Sequence, residues 1–185
     1  MLVDETFYYP RTPVSVVAVG DSGEALLVRS LLENLGATVA MHLIGTPEDF
    51  LRVIGQGSAA PSHMVLCCHG NENGIVFGDY AGGIDISGLK AGSMLAQVIA
   101  ERVELPGKVV VSTGCGTGAA EFGAAFMRGR VAAYIAPDGY PSDAVLFVHL
   151  LFHQLLRKRA TPTFANHYAK SCDPELGMFQ IFGPP

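Results

Sequence analysis

The chain has 185 residues and 19.5 kDa, with 49% hydrophobic and only 16% charged residues, enough apolar material for one substantial core. A mean hydropathy of +0.33 excludes a disordered chain, and a net charge of −5 argues against a nucleic-acid-binding surface. No membrane role is expected, because the longest apolar stretch, near residues 145–156, is interrupted by His and Gln and falls short of the roughly 20 residues that span a bilayer.

Residues 14–19 (VSVVAV) are a β-branched run stopped by Gly20, which predicts a buried strand. The next stretch, DSGEALLVRSLLENLG, predicts a helix. Asp21 or Ser22 caps it, Leu27, Leu31 and Leu35 recur at spacing four, and Gly36 stops it. A second strand is expected at 39–44. Thr46-Pro47-Glu48-Asp49 then supplies a cap, a first-turn proline and two acids that suit a helix dipole, so a helix should run to Gly55.

Residues 63–68 (HMVLCC) predict the third strand, and 74–78 a short hairpin arm followed by a glycine-rich loop through Gly88. A helix is expected at 93–102, the fourth strand at 109–112 and a helix at 119–128. The fifth strand should occupy 131–135 and break at Pro137. Ser142 should cap a long helix to about Lys158, followed by a helix at 163–170 and a sixth strand at 178–182.

Six short strands separated mostly by helices predict an α/β protein, a largely parallel sheet with helices on both faces, in one domain over residues 1–185. Right-handed crossovers place the strand C-termini on one edge, where sites in such sheets form, and the loops at Gly20, His69 and Gly114 all leave that edge. No internal repeat or low-complexity linker interrupts the chain.

The four cysteines, Cys67, Cys68, Cys115 and Cys172, are too few for a disulfide scaffold and fit a reducing, cytoplasmic setting. Residues 1–11 carry neither the basic start nor the apolar run of a secretory leader. Cys67 and Cys68 are adjacent in a strand and should point to opposite faces.

Two edge loops carry chemistry: Cys68-His69-Gly70-Asn71-Glu72-Asn73-Gly74 and Thr113-Gly114-Cys115-Gly116-Thr117-Gly118. An imidazole and a thiol at neighbouring strand ends can meet across a pocket, and the pairing lowers the thiol pKa and populates the nucleophilic thiolate. The flanking glycines let a substrate backbone approach, and the amides of Gly70 and Cys115 can face a developing oxyanion.

Plainer roles compete. Free cysteines are most often buried structure, and His69 could simply bond a loop carbonyl. His149 and His153 share a helix face but lack the glutamate of HExxH, and a zinc set of Cys67, Cys68, His69 and Cys115 lacks the usual ligand spacing. The loop Gly114–Gly118 is no phosphate-binding P-loop, since no lysine follows it, and residues 20–23 do not make the dinucleotide fingerprint.

HMVLCCHGNENGIVFG followed by KVVVSTGCGTG resembles the caspase-like cysteine peptidases, including bacterial caspase-like and CHAT-type domains. There an apolar strand ends in His-Gly and the next core strand ends in the catalytic cysteine. His69 and Cys115 are 46 residues apart, close to the roughly 50 of caspases. DSGEALLVRSLLENLGATV is similar to the family's first helix and second strand. FMRGRVAAYIAPDGYPSDAVLFVHLLFHQLLR and MFQIFG are similar to its later segments, so the likeness covers about residues 13–183. The Q-A-C-[RQG]-G signature of true caspases is absent, with Thr113-Gly114 before Cys115.

The resemblance implies a three-layer αβα sandwich around a six-stranded, mostly parallel sheet. It also implies a cysteine endopeptidase acting on peptide or protein substrates, with His69 as acid/base, Cys115 as nucleophile, and the Gly70 and Cys115 amides as oxyanion hole. Asp21 stands near the family's pocket-determining position, and with Asp138 and Asp143 it would favour a basic substrate residue. No metal or organic cofactor is required, although calcium triggers some relatives. Two other readings stay open: an inactive caspase-like scaffold that binds partners or forms a homo-oligomer through the helix at 142–158, and a flavodoxin-like nucleotide-binding domain.

Overall fold

Strict alternation along the apolar strands sorts their side chains into two sets, and each set collects its own helices. The computed structural model describes residues 11–20 and 22–183. In chain order it contains β1 (Thr12–Val19), α1 (Ser22–Asn34), β2 (Ala37–Ile44), α2 (Pro47–Ile54), β3 (His63–Cys68), β4 (Gly70–Asn71), β5 (Gly74–Val76), β6 (Leu89–Lys90) and β7 (Ser93–Met94). Then follow α3 (Ala96–Arg102), β8 (Val109–Ser112), α4 (Ala120–Arg128), β9 (Ala133–Pro137), α5 (Ala144–Phe152), α6 (Pro162–Cys172) and β10 (Phe179–Phe182).

The main sheet has the order β10-β9-β8-β3-β1-β2. All neighbours are parallel except β9 and β10, which run antiparallel. Val14, Val16, Ala18, Val65, Cys67, Val111 and Ile135 face α1, α5 and α6 in one core. Val17, Val19, Leu66, Cys68, Val110 and Tyr134 face α2, α3 and α4 in the other. The expected three-layer α/β sandwich forms, and Cys67 and Cys68 enter opposite cores as alternation requires. Phe147 of α5 stacks on Phe179 of β10 with ring centroids 3.6 Å apart, tying the last strand to the first core.

Local cues and tertiary contacts disagree in three places. The helix expected at 93–102 begins only at Ala96, because Ser93 and Met94 pair with β5 and β6 and the Ser93 hydroxyl donates to Asn71 Oδ1 at 3.3 Å. The fifth strand lies two residues later than expected, since Arg130 takes a left-handed turn (φ 60°) and Pro137 is the strand's last residue, opposite Phe179. The long helix after 142 is capped by Asp143, whose carboxylate accepts the Leu146 N–H at 2.8 Å, while the Ser142 hydroxyl bonds to Glu175. It then loosens into a π-helical turn over His153–Arg157.

The hairpin expected at 74–78 is part of a second, four-stranded antiparallel sheet, β4-β5-β7-β6, standing where β3 ends. Its β6–β7 turn is Ala91-Gly92, both with positive φ (48° and 73°), the geometry that two-residue hairpin turns demand.

Phe147 is fully buried against Phe179, so Phe147→Ala should lower unfolding free energy by about 3–5 kcal/mol in urea titrations. A loss below about 1 kcal/mol would mean that β10 is held by other contacts.

Candidate active site

Since β8, β3 and β1 are consecutive and parallel, their C-terminal ends meet on one edge. His69 follows β3 with its side chain exposed, and its carbonyl accepts the Val76 N–H at 2.9 Å. Gly70 comes next and lies directly against Cys115. A Cβ on Gly70 would collide with the Cys115 carbonyl oxygen and stand 3.1 Å from its N and C atoms, so this approach requires glycine. The peptides after His69 and at Cys115 are therefore in contact, although distant in sequence.

The Cys115 loop is held from below. Gly114 N–H donates to the Ser112 hydroxyl at 3.2 Å, and the Thr117 hydroxyl donates to Gly114 O at 2.6 Å. Gly116, at φ 70°, donates its N–H to Gly139 O at 2.9 Å, and Gly118 donates to Pro137 O at 2.7 Å. Tyr134 OH closes the underside by donating to Thr117 O at 2.9 Å. With Thr117 N–H on Gly114 O, four amides of the loop bond inward. A phosphate-cradling loop aims its amides outward, so this geometry gives the nucleotide-binding reading no support.

Sequence reasoning missed Glu24. From the first turn of α1 its carboxylate accepts the Thr113 hydroxyl at 2.6 Å, and Thr113 Oγ1 in turn accepts the Cys68 N–H at 3.4 Å. Glu24 also borders a small depression shared with Cys67, Cys68 and His69. An acid three residues after Asp21 reads locally as a dipole-favoured first-turn residue, and nothing nearby announces a partner on β8.

The Cys115 thiol is shifted up, not down: burial raises it first and the Glu24 carboxylate adds to that, while its own backbone N–H pulls the other way. Cys68 is pushed up to about 12 by burial, with Glu24 and Cys115 adding and the Ser112 and Gly114 hydrogen bonds opposing. It is a structural thiol.

The proposed substrate-contacting acids divide. Asp138 is exposed just beyond β9, on the edge that carries Cys115, and its backbone N lies 2.7 Å from where a Gly118 Cβ would be. Asp143 is engaged as the α5 cap. Asp21 lies outside the described residues. His149 and His153 sit one turn apart, exposed and half-buried, and among the described residues no group of three or more His, Cys, Asp or Glu could hold a metal ion. Cys67 and Cys68 enter different cores, so they do not converge with His69 and Cys115 as one ligand set. Cys68, Cys115 and Cys172 are free thiols, and no helix among the described residues is long and apolar enough to cross a membrane.

No family model matches the sequence, and no curated protein matches it. Solved structures do match. One is an inactive zymogen protease from Parabacteroides distasonis, with a TM-score of 0.51 and 15% identity, covering 89% of this chain and 60% of that one. Another is the Arg-specific cysteine proteinase gingipain R, with a TM-score of 0.57 and 13% identity over 94% of this chain and 46% of that one. The separase of the Saccharomyces cerevisiae separase–securin complex matches with a TM-score of 0.54 and 12% identity, covering 98% of this chain and 13% of that one. The fold is caspase-like, the architecture of these cysteine proteases. The chain spans 60% or less of the length of each of them.

With Cys172 replaced by Ser to remove an exposed thiol, iodoacetamide should label Cys115 and spare Cys67 and Cys68 in the folded protein. Because the Cys115 pKa is raised, labelling should climb about tenfold per pH unit between pH 6 and 8. Glu24→Gln keeps an acceptor for Thr113 but removes the charge, so it should speed Cys115 labelling at fixed pH. An unchanged rate would show that the carboxylate does not act on the thiol.

Proposed function

We propose that this chain is a caspase-like cysteine endopeptidase with Cys115 as nucleophile and His69 as acid/base. The observation that carries the reading is the contact of Gly70 with the Cys115 peptide at the joined ends of β3 and β8 in a caspase-like fold. His69 takes the Cys115 thiol proton, the resulting thiolate attacks the scissile carbonyl, and the Gly70 and Cys115 N–H groups stabilise the oxyanion. His69 protonates the departing amine as the thioester forms. It then takes a proton from water, which attacks the thioester, releases the acid and restores the thiol. Peptide or protein binding brings His69 and Cys115 together, since catalytic hydrogen bonds often tighten only in the substrate complex.

Acidic groups on this edge favour a basic residue at the cleavage point. Asp138 is the exposed acid beside the nucleophile loop, Asp21 comes two residues after the end of β1 in the sequence, and the matching gingipain is an Arg-specific enzyme. Asp143, as a helix cap, contributes less.

A second reading, a non-cleaving caspase-like scaffold, is favoured by the partial burial and the Glu24 carboxylate that raise the Cys115 thiol. In that case partner proteins, not cleaved peptides, occupy the edge.

Fluorogenic peptides with Arg, Lys or Ala before the cleavage site separate these readings. Cys115→Ala should abolish turnover, and His69→Ala should lower kcat by about 10²- to 10⁴-fold with unfolding midpoints unchanged. Near wild-type rates in either variant would rule out the dyad, and no turnover by the unmodified chain under reducing conditions would favour the scaffold. Asp138→Asn should raise KM for Arg peptides several-fold and leave KM for Ala peptides unchanged. An equal change for both would remove Asp138 from substrate recognition.

A further inference from the structure

The main sheet has two outer strands of very different character. β10 is four residues long and pairs antiparallel with β9, whereas β2 is eight residues long and pairs with β1 residue for residue from Thr12↔Ala37 to Val19↔Ile44. β2 has no bulge, and no strand pairs with its outer side among the described residues. Its sequence, ATVAMHLI, contains no Asp, Glu, Lys, Arg, Pro or Gly. Natural sheets protect long edges with charges, prolines, bulges or covering segments, because an unpaired row of N–H and C=O groups is a template for another strand. None of the sequence-borne devices is present here.

The surroundings of this edge are apolar and neutral. Val39, Met41 and Leu43 continue the face of Val14, Val16 and Ala18, so they lie on the α1 side of the sheet. Val39 and Met41 are half-buried there, while Leu43 is 68% exposed. On α1, Ala25, Val28 and Leu32 point to the sheet and Glu24 reaches inward to Thr113. The opposite flank, carrying Leu26, Arg29 and Glu33, therefore lies on the β2 side. Leu26 is 54% exposed, and Arg29 and Glu33 neutralise each other across 3.0 Å.

We propose that β2 pairs antiparallel with β2 of a second copy of this chain, joining two six-stranded sheets into one. A two-fold axis at Met41 places Val39 opposite Leu43 of the other copy on the same face, so the apolar stripe meets itself. Measured from the α1–β2 turn, Met41 is about 13 Å along β2 and Leu26 about 14 Å along α1. The exposed leucine of the helix thus stands beside the same axis, and the apolar patch is centred where a self-complementary contact needs it. An uncharged strand brings no like charges together when it meets its own copy, which a chain of net charge −5 would do over most of its surface. The helix at 142–158 is a poorer interface, since Phe147, Val148, Leu151 and Phe152 are spent in the core.

Sedimentation velocity of the full chain over a wide concentration range tests this. The expected result is a reversible dimer whose dissociation constant rises at least tenfold in Leu43→Lys and Thr38→Lys, two exposed edge positions, with thermal unfolding near wild type. If Leu43→Lys fails to fold, Thr38→Lys alone gives the reading. Gln180→Lys on β10 should leave the dimer intact. A monomer at every concentration overturns the proposal and leaves the edge to a strand from a different protein. A dimer indifferent to the β2 substitutions, or lost equally in Gln180→Lys, overturns it in favour of another face.

Discussion

The hydroxyl of Thr113 holds together three elements that the site requires in register. It accepts the Cys68 amide, donates to the Glu24 carboxylate, and belongs to a residue whose own N–H bonds Leu66 O at 3.0 Å. These bonds link β3, the segment following β8 and the start of α1 at one point. A hydrogen bond to a charged acceptor contributes about 1.5–3 kcal/mol, more than an ordinary surface ion pair. Thr113 is 4% exposed, and its hydroxyl also lies 3.2 Å from Leu66 O, a second buried acceptor on β3. The meeting of the His69 and Cys115 loops rests on this anchor.

The same anchor sets the electrostatics of the edge. A carboxylate that fixes α1 onto the sheet also faces two thiols, and its charge opposes ionisation of both. For Cys68, enclosed by Ser112 and Gly114, the effect reinforces chemical inertness. For Cys115 it works against nucleophilicity, so reactivity there depends on whatever brings positive charge or a proton acceptor to the thiol. A cationic substrate group would do the first and the His69 imidazole the second, so the resting edge is less reactive than one with an assembled pair.

Much of the fold was legible because the strands are short apolar runs separated by capped helices. Thr46-Pro47 does begin a helix, Thr161-Pro162 begins another, and the adjacent cysteines diverge into two cores. The His69 and Cys115 loops were visible as glycine-flanked strand ends, and the sheet order brings them together. What stayed hidden depends on partners remote in sequence. The strands β4, β6 and β7 have two residues each, below the length at which alternation can be recognised. Ser93 looks like a helix start until Asn71 claims its hydroxyl. Ser142 and Asp143 are both good caps, and only the nearby Glu175 decides between them. Glu24 is the sharpest case, a partner of Thr113 at the candidate site that reads locally as an ordinary first-turn acid.

The tether from Gly116 and Gly118 to Gly139 and Pro137 has a mechanical consequence. The backbone on either side of Cys115 cannot shift without dragging the segment that joins β9 to α5, and Asp138 in that segment is itself bonded through its N–H to Met178 O at 3.1 Å. Motion is thereby transmitted along a stiff linkage from the thiol loop to the approach of β10, on the opposite side of the sheet from β2. A load applied at the chain's last strand would be felt at the sulfur.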